Sequence, residues 1–287
     1  MNNYVIYTDS ACDVSPDLLK EWGVYSSSLT FMFDGEEKEY SNEEMPVSEF
    51  YSKMRAGGIA RTSAVNVVTF QEEFEKLLNQ GQDILYLGFA SSLSATYNSA
   101  AMAAEQLREQ YPERKIITVD TLCASSGQAL LIHQTVEEKN LGATIEEAAA
   151  FAENLKLSIC HWITVDDLIY LKRGGRISPT TALVGKTLGI KPLIRIDNDG
   201  KLESCVKVRG RKKAILALAD KYSELADFPG SSVYITHSQC LEDAQELAQI
   251  LKERHNAKAQ LIADIGPVVG AHVGPGGIVL SFVGKQR

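Results

Sequence analysis

The first half of the sequence alternates short apolar runs with segments that carry helical signals. Three apolar runs predict buried strands: residues 4–8, 84–89 and 115–119. A helical signal follows each run: the cap and first-turn proline Ser15-Pro16, the periodic segment 99–109, and Ser125-Ser126-Gly127. Strands that are joined by helical crossovers lie parallel. The alternation therefore predicts a mostly parallel, doubly wound sheet.

Local signals add detail to this half. The runs 24–33 and 37–40 flank Asp34-Gly35, which predicts a β-hairpin. Thr69 with Glu72, and Thr144 with Glu147, have the spacing of a capping box, which predicts two helix starts.

The second half has a less regular pattern. Residues 193–196 and 202–208 flank Asn198-Asp199-Gly200, which predicts a second hairpin. Further strands or helices are predicted at 159–165, 166–172, 211–225, 233–236, 241–254, 261–265 and 278–283, with another helix start at Ser178-Pro179. We therefore predict an α/β protein of two domains: an N-terminal α/β domain over residues 1–158 and a C-terminal mixed α/β domain over residues 159–287.

Composition limits the class of protein and its partners. The 287 residues include 29 basic and 37 acidic side chains, which give a net charge of −8. Such a surface argues against broad nucleic-acid binding and against electrostatic docking on anionic lipid. No apolar run approaches the ~20 residues of a membrane span, so we expect no stable membrane insertion. Five cysteines without a CxxC pair are typical of a reduced, cytoplasmic protein, and the first ten residues lack the pattern of a signal peptide.

The sequence patterns that could indicate a metal site or a nucleotide site are weak. Asp9, Asp13 and Asp120 are scattered and lack histidines at useful spacing, so we expect them in turns and caps rather than at a metal. The segment 274–277, Gly-Pro-Gly-Gly, lacks the Gly-Lys-Ser/Thr ending of a P-loop. Its glycines are expected to turn tightly or to let backbone approach a ligand. His272 beside them is either a core histidine or a donor to an anion.

Hydroxyl side chains cluster in GFASSLSATYNSA, residues 88–100, between a predicted strand and a predicted helix. A nucleophilic Ser92 or Ser94 would make the protein a serine hydrolase of acyl esters, but the G-x-S-x-G elbow is absent and a base is still needed. Ser94 is otherwise an N-cap, and a helix N-terminus also holds a carboxylate or phosphate. Thr62 and Ser63 have the same chemistry before another predicted helix. The two clusters together favour a carboxylate site.

Six segments together resemble the DegV family of bacterial fatty-acid-binding proteins. They run in the family's order from the first strand almost to the C-terminus: YTDS (7–10), RTS (61–63), SSLSATYNSA (91–100), DT (120–121), YLKRGGRI (170–177) and HVGPG (272–276). The resemblance implies two α/β domains with one long-chain, palmitate-like fatty acid between them and no further cofactor.

The resemblance also implies a function. Members of the family look like the lipid-binding component of a bacterial fatty acid kinase. A separate ATP-dependent kinase chain phosphorylates the carboxylate of the bound acid, and the acyl-phosphate feeds phospholipid synthesis. The protein itself would then be a carrier and not an enzyme. A serine hydrolase and a regulatory module for a polar small molecule stay open as alternatives, and an apolar cavity between the domains would argue against the second.

Site residues follow from the same motifs. By position, Thr62 and Ser94 would hold the carboxylate and His272 would be a further contact with it. Three cations would lie toward the kinase-docking side: Arg173, Arg176 and either Arg209 or Arg211. Two departures from the family pattern, Ala95 for a glycine and Val65 for a proline, leave both hydroxyls in place.

Overall fold

The computed structural model describes residues 3–178 and 189–287. Pro179, and with it the predicted helix start at Ser178-Pro179, lies outside the described residues. The described part contains thirteen strands and ten α-helices. None of these ten helices is long and apolar enough to cross a membrane.

The first half contains seven strands and six helices. The strands are β1 (Tyr4–Asp9), β2 (Val24–Ser27), β3 (Thr30–Phe33), β4 (Glu39–Ser41), β5 (Ala60–Ser63), β6 (Asp83–Gly88) and β7 (Ile116–Asp120). The helices are α1 (Pro16–Glu21), α2 (Val47–Arg55), α3 (Val67–Asn79), α4 (Thr96–Gln110), α5 (Ser125–Asn140) and α6 (Ile145–Leu155).

The predicted parallel sheet is confirmed. Its order is β2-β1-β6-β7, and every neighbouring pair is parallel. Alternate residues of β1 belong to different cores: Val5 and Tyr7 pack with side chains from α3 and α4, whereas Tyr4 and Ile6 pack with side chains from α5 and α6. Because strand side chains alternate between faces, helices cover both faces of this sheet, as in a doubly wound fold.

A small antiparallel sheet, of order β4-β3-β5, was not predicted. The hairpin at Asp34-Gly35 is present as β3 and β4. The run 24–33, however, is two strands, because β2 joins the parallel sheet while β3 turns away to pair with β5. Arg61, Thr62 and Ser63 therefore lie in a strand, paired with β3, and not at the start of a helix.

The second half contains six strands and four helices. The strands are β8 (Ile159–Thr164), β9 (Ile190–Ile196), β10 (Leu202–Arg209), β11 (Val233–His237), β12 (Ala259–Asp264) and β13 (Ile278–Val283). The helices are α7 (Ile169–Arg173), α8 (Arg211–Leu225), α9 (Leu241–His255) and α10 (Pro267–Val273).

These six strands form one mixed sheet, as predicted. Its order is β10-β9-β8-β13-β11-β12, and only β11 and β12 run parallel. Helix α5 joins this sheet to the first half, since Ser126 Oγ lies 2.9 Å from Ser281 Oγ of β13. Gly127 also approaches β8 closely, because a Cβ there would lie 1.9 Å from His161 Nε2. The division of the chain at residue 158 stays a prediction.

The predicted cap Ser15 is confirmed, and of the two predicted capping boxes one is confirmed and one is wrong. Thr144 and Glu147 form a capping box at the start of α6. Thr69, in contrast, lies inside α3, and its N–H donates to Asn66 Oδ1 at 2.9 Å. The helix begins earlier than predicted because Asn66 is the stronger capping residue at this point.

Candidate functional site

A largely enclosed cavity lies between the two halves of the chain. It is bounded by the carboxyl ends of β6 and β7, by β5 and α10, and by the mixed sheet. Its volume of about 190 Å³ is several times what one water molecule needs. Most of its lining side chains are apolar: Leu29, Ala64, Phe89, Leu93, Ala95, Ala124, Ile163, Leu171, Ile196, Leu202, Val268, Val269, Val273 and Val279. This lining argues against a module for a polar small molecule.

The remaining lining residues are polar. They are Thr62, Ser63, Ser94, Ser125, Arg176 and His272. The structure thus brings together the three residues that sequence analysis proposed for a carboxylate, although they come from β5, the loop before α4, and α10. Ser63 and Ala95 beside them are exposed, whereas Ile163 and Ile196 of the lining are buried. The polar end of the cavity therefore opens to solvent and the apolar part lies inside.

Thr62 and His272 form the central polar pair. Thr62 Oγ1 lies 2.9 Å from His272 Nε2. If Nε2 carries the proton and donates to Thr62, the hydroxyl hydrogen of Thr62 stays available for an anion in the cavity. The Thr62 hydroxyl would then donate to the anion while it accepts a hydrogen bond from the neutral His272 imidazole.

His272 is neutral at pH 7. Burial lowers its pKa from 6.5 to about 4, and the nearby charge of Arg176 acts in the same direction. Its Nδ1 is buried and has no hydrogen-bond partner in the part of the chain that the structure describes. Gly174 lies against this atom, because a Cβ at Gly174 would be 2.0 Å from Nδ1. The glycine of the Arg-Gly-Gly-Arg segment therefore makes room for the imidazole.

Ser94, the predicted N-cap, lies one residue before the N-cap that the structure shows. Helix α4 begins at Thr96 with Ala95 at the N-cap, and Ala95 has helical backbone angles (φ −72°, ψ −5°). The Oγ of Ser94 accepts from Thr96 N–H at 3.3 Å and lies 2.9 Å from Thr96 Oγ1. Ser94 thus caps through the first helical N–H and not from the N-cap position, because Ala95 already has the helical conformation.

The structure shows how the chain accommodates Val65, one of the two departures from the family pattern. Val65, where the family has proline, is buried in the core next to β5. The start of α3 does not need that proline, since Asn66 caps the helix. Thr62 lies four residues before Asn66, so it contacts the cavity from a strand edge and not from a helix N-terminus. The prediction that Thr62 lies at the start of a helix was therefore wrong.

His272 and the glycines after it belong to different elements: helix α10 ends at Val273, and residues 274–277 form the turn that follows it. His272 lies in the last turn of α10. A Cβ at Gly274 would be 2.2 Å from the Tyr170 ring, and one at Gly276 would be 2.3 Å from the Asp166 carboxylate. Both glycines also have positive φ. They therefore let the segment around α7 pack closely on the end of α10, which fixes the position of His272.

The predicted docking arginines lie in different environments. Arg173 and Arg209 are exposed, and Arg173 lies 5.7 Å from the centre of the Tyr170 ring. Arg176 is half-buried and lines the cavity, and its place toward the kinase-docking side stays a prediction. Its guanidinium donates to the carbonyls of Leu93 (2.9 Å) and Gly174.

Arg211 is also unlike a free docking residue. Its guanidinium donates to Asp243 at 2.8 Å and to the carbonyl of Gly276 at 2.6 Å. Of the basic side chains that sequence analysis named, Arg173 and Arg209 are the exposed ones.

Sequence analysis missed Ser125 as a cavity residue. It begins α5 with a positive φ of 51°, and its hydroxyl donates to Asp13 and contacts Thr236. Asp13 Oδ1 in turn accepts from the N–H of Gly266, just before α10, at 2.9 Å. Burial raises the pKa of Asp13 to about 8. The strand-end position of Asp120-Thr121 was a signal for this region, but the role of Ser125 depends on contacts with the second half.

The serine-hydrolase alternative receives no support from the contacts. Ser92 Oγ donates to the carbonyl of Gly200 at 2.6 Å, and Ser94 Oγ contacts Thr96. Within residues 3–178 and 189–287, neither serine is hydrogen-bonded to a histidine that could serve as its base. No group of three or more metal-binding side chains occurs in the same ranges.

A family model and a similar protein of known sequence indicate the family of this chain. The sequence model described as "Uncharacterised protein, DegV family COG1307" matches residues 3–285. A DegV domain-containing protein of Clostridium perfringens is 40% identical over 289 residues, with 100% of this chain and 99% of the relative covered. A DegV family protein from Thermus thermophilus, described as binding fatty acid, has a TM-score of 0.88 at 27% identity, with 98% and 99% covered. A stearic acid-binding protein from Eubacterium ventriosum has a TM-score of 0.87 at 27% identity, with 98% of each chain covered.

Proposed function

Because the chain belongs to the DegV family, we propose that it is a carrier that binds one long-chain, palmitate-like fatty acid in the cavity between its two halves. The observation that carries this proposal is the cavity itself, which is apolar inside and has the Thr62–His272 pair at its polar end. Two similar structures are described as fatty-acid-binding proteins. The proposal assigns no catalytic residue to this chain.

Burial of the acyl chain supplies most of the binding free energy in this proposal. At ~0.8 kcal/mol per methylene, a long acyl chain offers on the order of 10 kcal/mol of gross transfer free energy. Lining residues such as Ile163 and Val279 are buried, so they can replace the water around the chain. The polar groups then need only to fix the position of the carboxylate.

Thr62, Ser94 and His272 hold the carboxylate in this proposal. Neutral hydroxyls can donate hydrogen bonds to it without the cost of burying a full positive charge, and the neutral imidazole acts through the Thr62 hydroxyl, to which its Nε2 donates. Arg176 lines the same cavity and supplies a cation nearby, while its own donors are partly engaged by Leu93 and Gly174. A carboxylate held in this way keeps an oxygen free to react, whereas a bidentate arginine would engage both oxygens.

The free oxygen suits the kinase reaction that the family motifs imply. A separate kinase chain would bring ATP to the open, polar end of the cavity. A carboxylate oxygen attacks the γ-phosphorus, the bond from that phosphorus to the bridging oxygen breaks, and ADP leaves with the electron pair. The product is an acyl-phosphate for phospholipid synthesis. Arg173 and Arg209, which are exposed, are proposed as contacts with the kinase.

We also place the protein in the cytoplasm. All five cysteines are free, and three of them, Cys12, Cys123 and Cys160, are buried as thiols. Free thiols are typical of proteins in a reducing compartment, which is where ATP-dependent activation of a fatty acid takes place.

Mass spectrometry of the purified protein tests the proposal. The protein is expressed in a bacterial host and denatured, and the extract is analysed for fatty acids. The proposal predicts close to one long-chain fatty acid per chain. If no acid is extracted, and none can be loaded from a palmitate or oleate solution, the carrier function is wrong.

A further inference from the structure

The β9–β10 hairpin forms one wall of the cavity. Ile196 ends β9 and Leu202 begins β10, and both line the cavity. The turn between them is closed by its own hydrogen bonds, since the N–H of Asp197 donates to the carbonyl of Lys201 at 2.8 Å. Strand β9 pairs with β8 through residues 193–195 only, so the tip is not paired with β8, although the Arg287 guanidinium donates to the carbonyl of Asp197 at 3.1 Å. Ile196 and Leu202 therefore line the cavity from a part of the hairpin that no third strand supports.

The tip meets the first half of the chain at Gly200. Ser92 Oγ donates to the carbonyl of Gly200 at 2.6 Å. Gly200 is buried and has a φ of +78°, and a Cβ there would lie 2.8 Å from Ser92 Oγ and 3.3 Å from the side chain of Leu122. Glycine is therefore needed at this contact both for its backbone conformation and for the close approach.

Ser92 belongs to the same turn as Ser94. The N–H groups of Leu93 and Ser94 both donate to the carbonyl of Ala90, at 2.9 and 3.1 Å. Residues 90–94 thus form one hydrogen-bonded turn, and the hairpin tip holds it through Ser92. Movement of the hairpin would be transmitted to Ser94, because no flexible linker separates Ser92 from Ser94.

From these contacts, and resting on the proposed fatty-acid site, we propose that Ser92 is a positioning residue. Its hydrogen bond to Gly200 fastens the β9–β10 hairpin to the turn that carries Ser94. The apolar wall and the carboxylate contact are thereby closed together, and the acid enters or leaves when this bond opens. This role accounts for a hydroxyl at position 92 that neither caps a helix nor has a base.

The rate of ligand release tests the role of Ser92. Wild type, Ser92→Ala and the matched control Ser91→Ala are loaded with cis-parinaric acid, and its transfer to phosphatidylcholine vesicles is followed by stopped-flow fluorescence. Loss of one hydrogen bond that is accessible to solvent predicts release from Ser92→Ala about five-fold faster than from wild type. Ser91→Ala is expected to match wild type, because the Ser91 hydroxyl has no hydrogen-bond partner among the described residues.

Amide hydrogen exchange supplies a second measurement that does not need ligand. In the ligand-free protein, residues 196–202 are expected to exchange faster in Ser92→Ala than in Ser91→Ala, with equal exchange in the core strand β6. A Gly200→Ala variant, which separates the same two groups from the other side, is expected to release the acid faster as well.

The outcomes separate this inference from the proposed function. If wild type binds neither cis-parinaric acid nor palmitate or oleate, the carrier function is wrong, and the role of Ser92 in it is wrong as well. If wild type binds and the two serine variants release the acid at the same rate, only the role of Ser92 is wrong. Faster exchange throughout Ser92→Ala would indicate general loosening and would also contradict the inference.

Discussion

Thr62 and His272 are 210 positions apart in the sequence, yet Thr62 Oγ1 and His272 Nε2 lie 2.9 Å apart at the open end of an apolar cavity. The small antiparallel sheet positions the threonine, and the last turn of α10 positions the histidine. The head-group site that we propose therefore depends on how the first half of the chain packs against α10.

Replacement of Thr62 by valine keeps the shape of the side chain and removes its hydroxyl. We expect the dissociation constant for palmitate to rise about ten-fold, because one hydrogen bond to a charged group is lost. Calorimetric titration of delipidated protein measures this change. Thr30→Val is the matched control, since Thr30 lies on the neighbouring strand β3 and its hydroxyl contacts Glu39 outside the cavity. Equal affinities in the two variants would contradict the assignment of Thr62.

Replacement of Ser94 by alanine tests whether the two hydroxyls share one carboxylate. We expect Ser94→Ala and Thr62→Ala each to weaken binding, and the double variant to lose less than the sum of the two. Non-additivity is expected because each hydroxyl contributes fully only while the other holds the same ligand group. The same titrations complete this double-mutant cycle. Strict additivity would indicate that the two side chains do not contact one group.

The pKa of His272 predicts how stability changes with pH. The folded-state pKa is lowered from 6.5 to about 4, so between these values the unfolded chain binds a proton that the folded protein does not. The contribution to the free energy of unfolding is complete above pH 6.5 and is lost as pH falls toward 4. Its full size is on the order of 3 kcal/mol.

Urea unfolding at pH 4.5, 5.5 and 7.5 measures this contribution. Asp13, whose pKa is raised to about 8, acts in the opposite direction because its protonated form is favoured in the folded protein. The difference between wild type and His272→Asn is therefore the quantity to compare. We expect this difference to change with pH between 4 and 6.5 and to be constant above. A difference that does not vary with pH would contradict the buried, neutral histidine.

Gly174 and the adjacent Gly175 provide a matched pair. In Gly174→Ala the new Cβ would lie 2.0 Å from His272 Nδ1, whereas Gly175→Ala meets no atom within 4 Å and only strains a positive φ. We expect Gly174→Ala to weaken palmitate binding at least ten-fold and to lower the free energy of unfolding by about 2–3 kcal/mol. Gly175→Ala should cost about 1 kcal/mol and leave binding unchanged. Normal binding by Gly174→Ala would show that the position of His272 does not matter.

Charge reversal tests the proposed contacts with the kinase. Arg173→Glu and Arg209→Glu are expected to lower phosphoryl transfer to the bound acid more than ten-fold in the presence of the kinase, with unchanged palmitate affinity. The expectation follows from their exposure and from the repulsion that a like charge at an interface produces. Lys207→Glu, which reverses another exposed charge on β10, is the control. Unchanged transfer in both arginine variants would place the docking face elsewhere.

Much of the fold could be predicted because its signals are local. The helix Arg211–Leu225 and the strand Ile278–Val283 have the predicted bounds, since apolar periodicity and flanking turn residues determine both. The small sheet could not be predicted, because whether residues 30–33 pair with β5 or continue β2 depends on a strand thirty residues later. Element ends failed for a related reason: Asn66 competes with Thr69 for the start of α3, and spacing alone does not decide between them.

The site was predictable in composition but not in arrangement. Hydroxyls at positions 62 and 94 and the imidazole of His272 follow from the motifs, and all three line the cavity. The glycines near His272 were expected to turn tightly or to let backbone approach a ligand, but the side chains that they make room for, Tyr170 and Asp166, were not predicted. Arg176 was expected toward the kinase-docking side, and its hydrogen bond to the carbonyl of Leu93 was not predicted. Both differences arise from packing between segments that are distant in sequence, which no local pattern encodes.

A crystal structure of the protein with a bromine-labelled fatty acid tests the central claim most directly. Anomalous scattering locates the bromine at the end of the acyl chain, and the electron density locates the carboxylate. Our account predicts that the bromine lies among the buried apolar lining residues, with a carboxylate oxygen about 3 Å from both Thr62 Oγ1 and Ser94 Oγ. A carboxylate at another place, or an acid bound outside the cavity, would contradict it.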